Sequence, residues 1–170
     1  MIEVATLDDL SQVENIMQSI KEEMRQEGNP QWGSTDDDYP SLTKLLDDIE
    51  NQKMIKYVED NIIKGIISIA RDTAREYDGL LDNSEEDSYI LHRLAIPQEY
   101  RKQNIATKLI KHAEVKAINN QIKVIKSSTE VSNVKMNNLL LREGFEYKGN
   151  YKYDDYPGLY NYYEKTVDRR

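Results

Sequence analysis

The 170-residue sequence contains no cysteine, which excludes disulfide frameworks, thiolate metal sites and cysteine nucleophiles. Histidine is almost as scarce. His92 and His112 are the only two, too few to argue a metal constellation. No apolar run approaches the roughly 20 residues needed to span a bilayer. The opening "MIEVATLDDL" lacks the basic start and apolar block of a secretory signal. These absences predict a cytoplasmic protein with no membrane partner. Glycine is sparse too, at seven residues. There is neither a GxGxxG run nor the Gly-Lys-Ser/Thr of a P-loop, so the familiar nucleotide cradles are excluded.

What is present is charge, unevenly spread. Residues 1–99 hold 23 acidic and 9 basic side chains, whereas residues 100–170 hold 8 and 14. Such asymmetry points to an anionic ligand on the second half and a cationic one near the first. The alternative is solvated surface charge. No helix carries a dense arginine stripe, so a nucleic-acid partner is not expected. The length fits one domain over residues 1–170, large enough for a core without staples.

The patterning predicts mixed α/β structure. Residues 2–5 read as a short strand. Thr6 with Asp9 forms a capping box ahead of Leu7, Leu10, Val13, Met17, Ile20 and Met24 at helical spacing, and Gly28 stops that run. Ser41 caps a second helix carrying Leu42, Leu45, Leu46 and Ile49. "KMIKYVED" and "IIKGIISIA" read as a hairpin turning at Asp60-Asn61. "SYILHRLAI" and "IKVIKSST" are further strands. Ser132 or Asn133 opens a short helix that Gly144 ends. "FEYKGNYKY" and "LYNYYEKTV" close the chain as strands around "DDYPG". The polar stretch "RDTAREYDGLLDNSEED" shows no core role.

Between the third strong strand and a helical stripe (Ala106, Leu109, Ile110, Ala113, Ala117) lies "IPQEYRKQNIATKLIKHAE", a basic stretch in an acidic chain. A strand, a short loop and a helix N-terminus together make an anion site. The first N–H groups of the helix lack intrahelical partners, and the dipole puts partial positive charge there. Arg101, Lys102 and Lys108 add full charges. A plain capped helix with basic neighbours is the competing reading.

"LHRLAIPQEYRKQNIATKLI" resembles the acyl-CoA-binding segment of the GNAT superfamily of N-acetyltransferases. In that segment Arg/Gln-x-x-Gly-x-Gly/Ala leads into a helix, and Arg101, Asn104 and Ala106 occupy the key positions. Downstream, "NVKMNNLLLREGFEYKG" is similar to the family's Asn-x-x-Ala…Leu-Tyr-x-x-x-Gly-Phe. The resemblance spans nearly the whole chain. It implies a central, mostly antiparallel sheet of six or seven strands flanked by about four helices, with strands splayed at the acyl-CoA site. It also implies acetyl-CoA as co-substrate, a small-molecule primary amine as acceptor, and a monomer or homodimer. Cofactor contacts are then expected along Leu94, Ala95 and Ile96 for the pantetheine arm. The pyrophosphate would lie at Arg101, Lys102, Gln103, Asn104, Ile105, Ala106 and Thr107, with further contacts at Asn133 and Met136.

Two positions depart from the family pattern. Asn104 stands where glycine is usual; asparagine is the non-glycine residue most tolerant of left-handed backbone. Leu140 stands where many relatives have a tyrosine general acid, so that role does not carry over. His92 matches a strand histidine proposed as general base in arylalkylamine members, and an imidazole titrates in the right range for an amine proton. The alternative is a histidine buried beside Arg93 for structure. Tyr147, Tyr151, Tyr153, Tyr156, Tyr160, Tyr162 and Tyr163 either protonate the leaving thiolate, wall the acceptor pocket or pack on a sheet face. Trp32 and Tyr39, in "QWGSTDDDYP", lie where the family's acceptor site is bordered. They would frame a cation paired by Asp36, Asp37 or Asp38, unless the segment is an acidic loop anchored by its tryptophan. A non-catalytic acyl-CoA-binding or regulatory module and an acetyltransferase of protein amines are the two other functions left open.

Overall fold

The computed structural model describes residues 1–33, 38–72, 87–152 and 158–168. In chain order they form β1 (Ile2–Val4), α1 (Leu10–Gln26), α2 (Pro30–Gly33), α3 (Leu42–Glu50), β2 (Met54–Glu59), β3 (Ile62–Asp72) and β4 (Ser88–Ala95). These are followed by α4 (Ile105–Asn119), β5 (Val124–Glu130), α5 (Val134–Arg142), β6 (Glu146–Tyr151) and β7 (Tyr160–Thr166). Single 3-10 turns, Leu7–Asp9 and Gln98–Tyr100, precede α1 and α4. The sheet has seven strands in the order β1-β2-β3-β4-β5-β7-β6. The pair β4–β5 is parallel, while β1–β2, β2–β3, β5–β7 and β6–β7 are antiparallel. The expected mixed, mostly antiparallel architecture is therefore present. The four-residue α2 is an addition, in a stretch that reads as loop from its turn-forming residues.

The chain divides into two compact units, Met1–Ile69 with Arg93–His112, and Ala70–His92 with Ala113–Arg170. In the first, Val13, Met17 and Ile20 of α1 and Leu45 and Ile49 of α3 pack with Trp32, Met54, Ile63, Ile66 and Ala95 into one apolar cluster. Helical periodicity locates this stripe but overextends it. Leu7 and Leu42 open their helical segments and are exposed. The caps form as the residues dictate. The Thr6 N–H donates to Asp9 Oδ2 at 2.8 Å, and the Lys44 N–H donates to Ser41 Oγ at 3.2 Å. Burial alone would raise the Asp9 carboxyl, but Lys56 and Thr6 together hold it below the usual carboxylate range. The β2–β3 hairpin turns at Asp60 and Asn61 with φ of 53° and 60°, the two left-handed residues that a type I′ turn requires.

In the second unit β5 pairs on both sides. Its parallel ladder to β4 runs from Ser88↔Val124 to Leu91↔Ser127 and ends there, before either strand ends. On its other side seven residues pair with β7. Asn133, rather than Ser132, caps α5 by accepting from the Met136 N–H, and Gly144 follows α5 at φ +85°. Tyr160, Tyr162 and Tyr163 are buried in the sheet, which favours packing over chemistry for these three. Tyr153, Tyr156 and most of the expected "DDYPG" turn lie outside the described residues. So do Asp36, Asp37 and nearly all of the polar stretch after β3.

Candidate functional site

The basic stretch and the residues before it fold as a strand end, a loop and a helix start, of which residues 93–112 lie in the first unit. β4 ends at Ala95, Pro97 follows Ile96, and a 3-10 turn leads to Arg101. Lys102 and Asn104 then take left-handed backbone, with φ of 63° and 59°, and α4 begins at Ile105. The expectation for Asn104 is met: it adopts the conformation for which glycine is usual. Lys102 in the same conformation had no sequence signal. The first bond of α4 runs from the Lys108 N–H to the Asn104 carbonyl at 3.0 Å, so the N–H groups before Lys108 lie ahead of the intrahelical ladder. The helix dipole adds partial positive charge at this end.

A glycine serves this loop from across the sheet. A Cβ on Gly65 of β3 would stand 2.5 Å from Ile96 Cδ1 and 2.8 Å from Ile105 Cγ2. A side chain at this position would have to displace the Ile96 and Ile105 side chains that pack over β3.

The three expected charges are disposed differently. Lys102 is exposed, as are Gln103 and Asn104. Lys108 lies over the Tyr57 ring, 5.1 Å from its centroid, and donates to the Tyr57 hydroxyl at 3.3 Å. Arg101 is turned inward. Its Nε donates to the Ile96 carbonyl at 3.0 Å, and its two Nη groups donate to Glu23 Oε1 and Oε2 at 2.5 and 2.6 Å. Leu94 and Ile96 are half-buried and Ala95 is buried.

Beside the end of β4 lies a buried polar cluster that sequence reasoning missed. Arg93 has a left-handed φ of 52° inside the strand. Its Nε donates to Asp48 Oδ2 at 2.5 Å and its Nη1 donates to the Tyr39 hydroxyl at 2.7 Å. Ser68 Oγ donates to the same Asp48 oxygen at 2.7 Å. Asp48 is wholly buried, its other oxygen has no hydrogen bond among the described residues, and Lys44 Nζ stands 3.7 Å from it. A signal for Asp48 existed. It lies three residues after Leu45 and one before Ile49, on the apolar stripe of α3, where an acid must have a partner.

The expected amine frame is placed otherwise. Trp32 is 7 % exposed within the apolar cluster, which gives it a packing role. Tyr39 packs against that cluster while its hydroxyl accepts from Arg93. Asp38, the one described carboxylate of the acidic trio, pairs with buried Lys21 at 2.9 Å, so its partner is internal.

The remaining candidates lie in the second unit. His92 on β4 is half-buried, as are Asn133 and Met136. Leu140, at the family's tyrosine position, is wholly buried. A further missed residue, Asn137, is the hub of this unit. Its Nδ2 donates to the carbonyls of Glu130 and Asn133 at 3.1 and 2.9 Å. Its Oδ1 accepts from Asn161 Nδ2 at 2.9 Å and from the Tyr163 hydroxyl at 2.6 Å. Burial pushes the Tyr163 phenol above its ordinary pKa, which keeps the donated proton in place. Among the described residues no cluster of three or more His, Asp or Glu side chains is arranged to hold a metal ion, and no helix is long and apolar enough to cross a membrane.

A model of the Acetyltransferase (GNAT) family matches residues 15–145. A sequence search of curated proteins gave no match. Solved structures that resemble the chain include a GNAT-family acetyltransferase from Streptococcus agalactiae, at TM-score 0.83 and 22 % identity, covering 99 % of this chain and 96 % of that one. A GNAT-family acetyltransferase from Listeria monocytogenes gives 0.76 and 19 %, covering 98 % and 94 %. The ribosomal-protein-S18-alanine N-acetyltransferase of Escherichia coli gives 0.69 and 12 %, covering 100 % and 95 %. At these identities the structures establish likeness of fold.

Proposed function

Because the chain belongs to the acetyltransferase (GNAT) family, we propose that it moves the acetyl group of acetyl-CoA to a primary amine, by direct attack in a ternary complex. The reading takes residues 1–170 as one N-acetyltransferase domain. The observation that carries it is the loop Arg101–Asn104, left-handed at Asn104 and opening onto the N-terminus of α4. In this reading the pyrophosphate sits on the N–H groups of Lys102 to Thr107, with the Lys102 ammonium as the exposed counter-charge. The pantetheine arm lies along Leu94, Ala95 and Ile96 as an added strand would. The amine nitrogen attacks the thioester carbonyl, His92 accepts the amine proton, and the C–S bond breaks. The leaving thiolate needs little help, since thiols resembling cysteine have pKa near 8.5. Buried Leu140 supplies no proton, and the thiolate takes one from solvent.

Calorimetry and thermal shift with acetyl-CoA at moderate salt test this directly. Heat of binding and a raised Tm are expected; neither signal at millimolar acetyl-CoA would reject the reading. A panel of small primary amines and N-terminal peptides then separates the outcomes. Acetylation of small amines supports the proposal, acetylation of peptides alone replaces the acceptor, and binding without turnover makes the chain a non-catalytic acyl-CoA module.

Asn104→Gly should leave acetyl-CoA affinity unchanged or tighten it a fewfold. Glycine adopts the observed φ without a Cβ penalty and lets the ligand approach more closely. A loss beyond about tenfold would mean that the asparagine side chain itself holds the ligand.

A further inference from the structure

We infer that Glu23 of α1 is a positioning residue for the acyl-CoA loop, holding Arg101 so that the loop keeps its shape without a glycine. This rests on the reading that the loop takes the pyrophosphate. Two of its residues, Lys102 and Asn104, have left-handed backbone, a conformation that costs a lysine more than an asparagine. Arg101 immediately precedes them. Its fork meets both oxygens of Glu23 at 2.5 and 2.6 Å, while Nε returns to the Ile96 carbonyl at 3.0 Å, tying the middle of the loop to its entry. A bidentate fork fixes direction as well as distance, which a lysine cannot do. The side chains are 29 % and 22 % exposed, so solvent screens the pair only in part.

Electrostatics makes the assignment testable by sign. A carboxylate beside an anion cradle should repel the ligand. On charge alone, Glu23→Gln would strengthen acetyl-CoA binding and release a guanidinium toward the phosphates. As a positioning residue Glu23 has the opposite effect: its neutralisation lets the loop wander and binding weakens.

Calorimetry with acetyl-CoA on the wild type, Glu23→Gln and Glu23→Asp decides between them, with amide hydrogen exchange on each protein. The expected result is a Kd weakened about tenfold in Glu23→Gln, with a smaller loss in Glu23→Asp, which keeps the charge one methylene short. Exchange should accelerate at residues 101–107 and stay unchanged in α5. An unchanged or tighter Kd in folded Glu23→Gln overturns the inference. If Glu23→Gln fails to fold, Glu23→Asp decides: a weakened Kd with faster exchange at residues 101–107 supports the inference, and an unchanged Kd overturns it. If the wild type itself binds no acetyl-CoA, the functional reading falls, and the exchange at residues 101–107 still decides whether Glu23 holds the loop.

Discussion

His92→Gln is expected to lower kcat/KM for the best amine of the panel by about 10²–10⁴-fold, the usual worth of a general base. Acetyl-CoA affinity should hold within about twofold. The geometry behind this is the place of His92 on β4. The left-handed residue is Arg93, one step later, and His92 remains half-buried between buried Leu91 and buried Arg93. The acid limb of the pH–rate profile should move or vanish in the mutant. An unchanged profile with a lowered Tm would reject the role and leave water or Glu130 as the base. Glu130 is poorly placed for that work: its carboxylate accepts from both the Ser132 N–H, at 2.6 Å, and the Ser132 hydroxyl, so it is engaged in shaping the turn into α5.

Asp48→Ala should cost about 3–5 kcal/mol of stability, because it leaves the Arg93 guanidinium buried without its counter-charge. The Arg93 and Asp48 side chains are 3 % and 0 % exposed, so water cannot stand in for the lost partner. The Ser68 hydroxyl loses its acceptor in the same step. Urea unfolding of the variant measures the loss. The double variant Asp48→Val/Arg93→Met should recover the part due to the unpaired charge, since a buried pair replaced by apolar side chains of similar volume is often neutral, while the Ser68 hydroxyl still lacks its acceptor. A single-mutant loss below about 1 kcal/mol, or no recovery in the double, would show that the pair is not what holds this part of the unit.

What the sequence made legible is local. Asp60-Asn61 announces its hairpin because two adjacent residues tolerant of left-handed backbone suit one turn type. Asn104 is readable for the same reason, and Ser41 and Asn133 because an oxygen-bearing side chain before an apolar stripe satisfies orphan N–H groups. The partners of buried polar side chains were not legible. Arg93 finds Asp48 45 residues away, and Tyr163 finds Asn137 26 residues away, and no spacing rule connects such pairs. Trp32 left two readings open, a ligand frame or an anchor for its loop. In a polar loop an aromatic residue suggests a ligand, but the neighbouring chain folds α2 onto α1 and takes the ring into the core.

The contact between Glu23 and Arg101 spans 78 residues, and this governs when the loop comes into being. At translation speeds of roughly 5–20 residues per second, Arg101 is synthesised about 4–16 s after its partner. Contacts so distant along the chain must overcome loop-closure entropy before they are rewarded, and they form late. The stretch from Ile96 to Thr107 therefore does not acquire its shape as an autonomous motif. On the proposed reading, capture of acetyl-CoA would report completed folding, and grafting the loop alone into another scaffold would transfer its residues without its conformation.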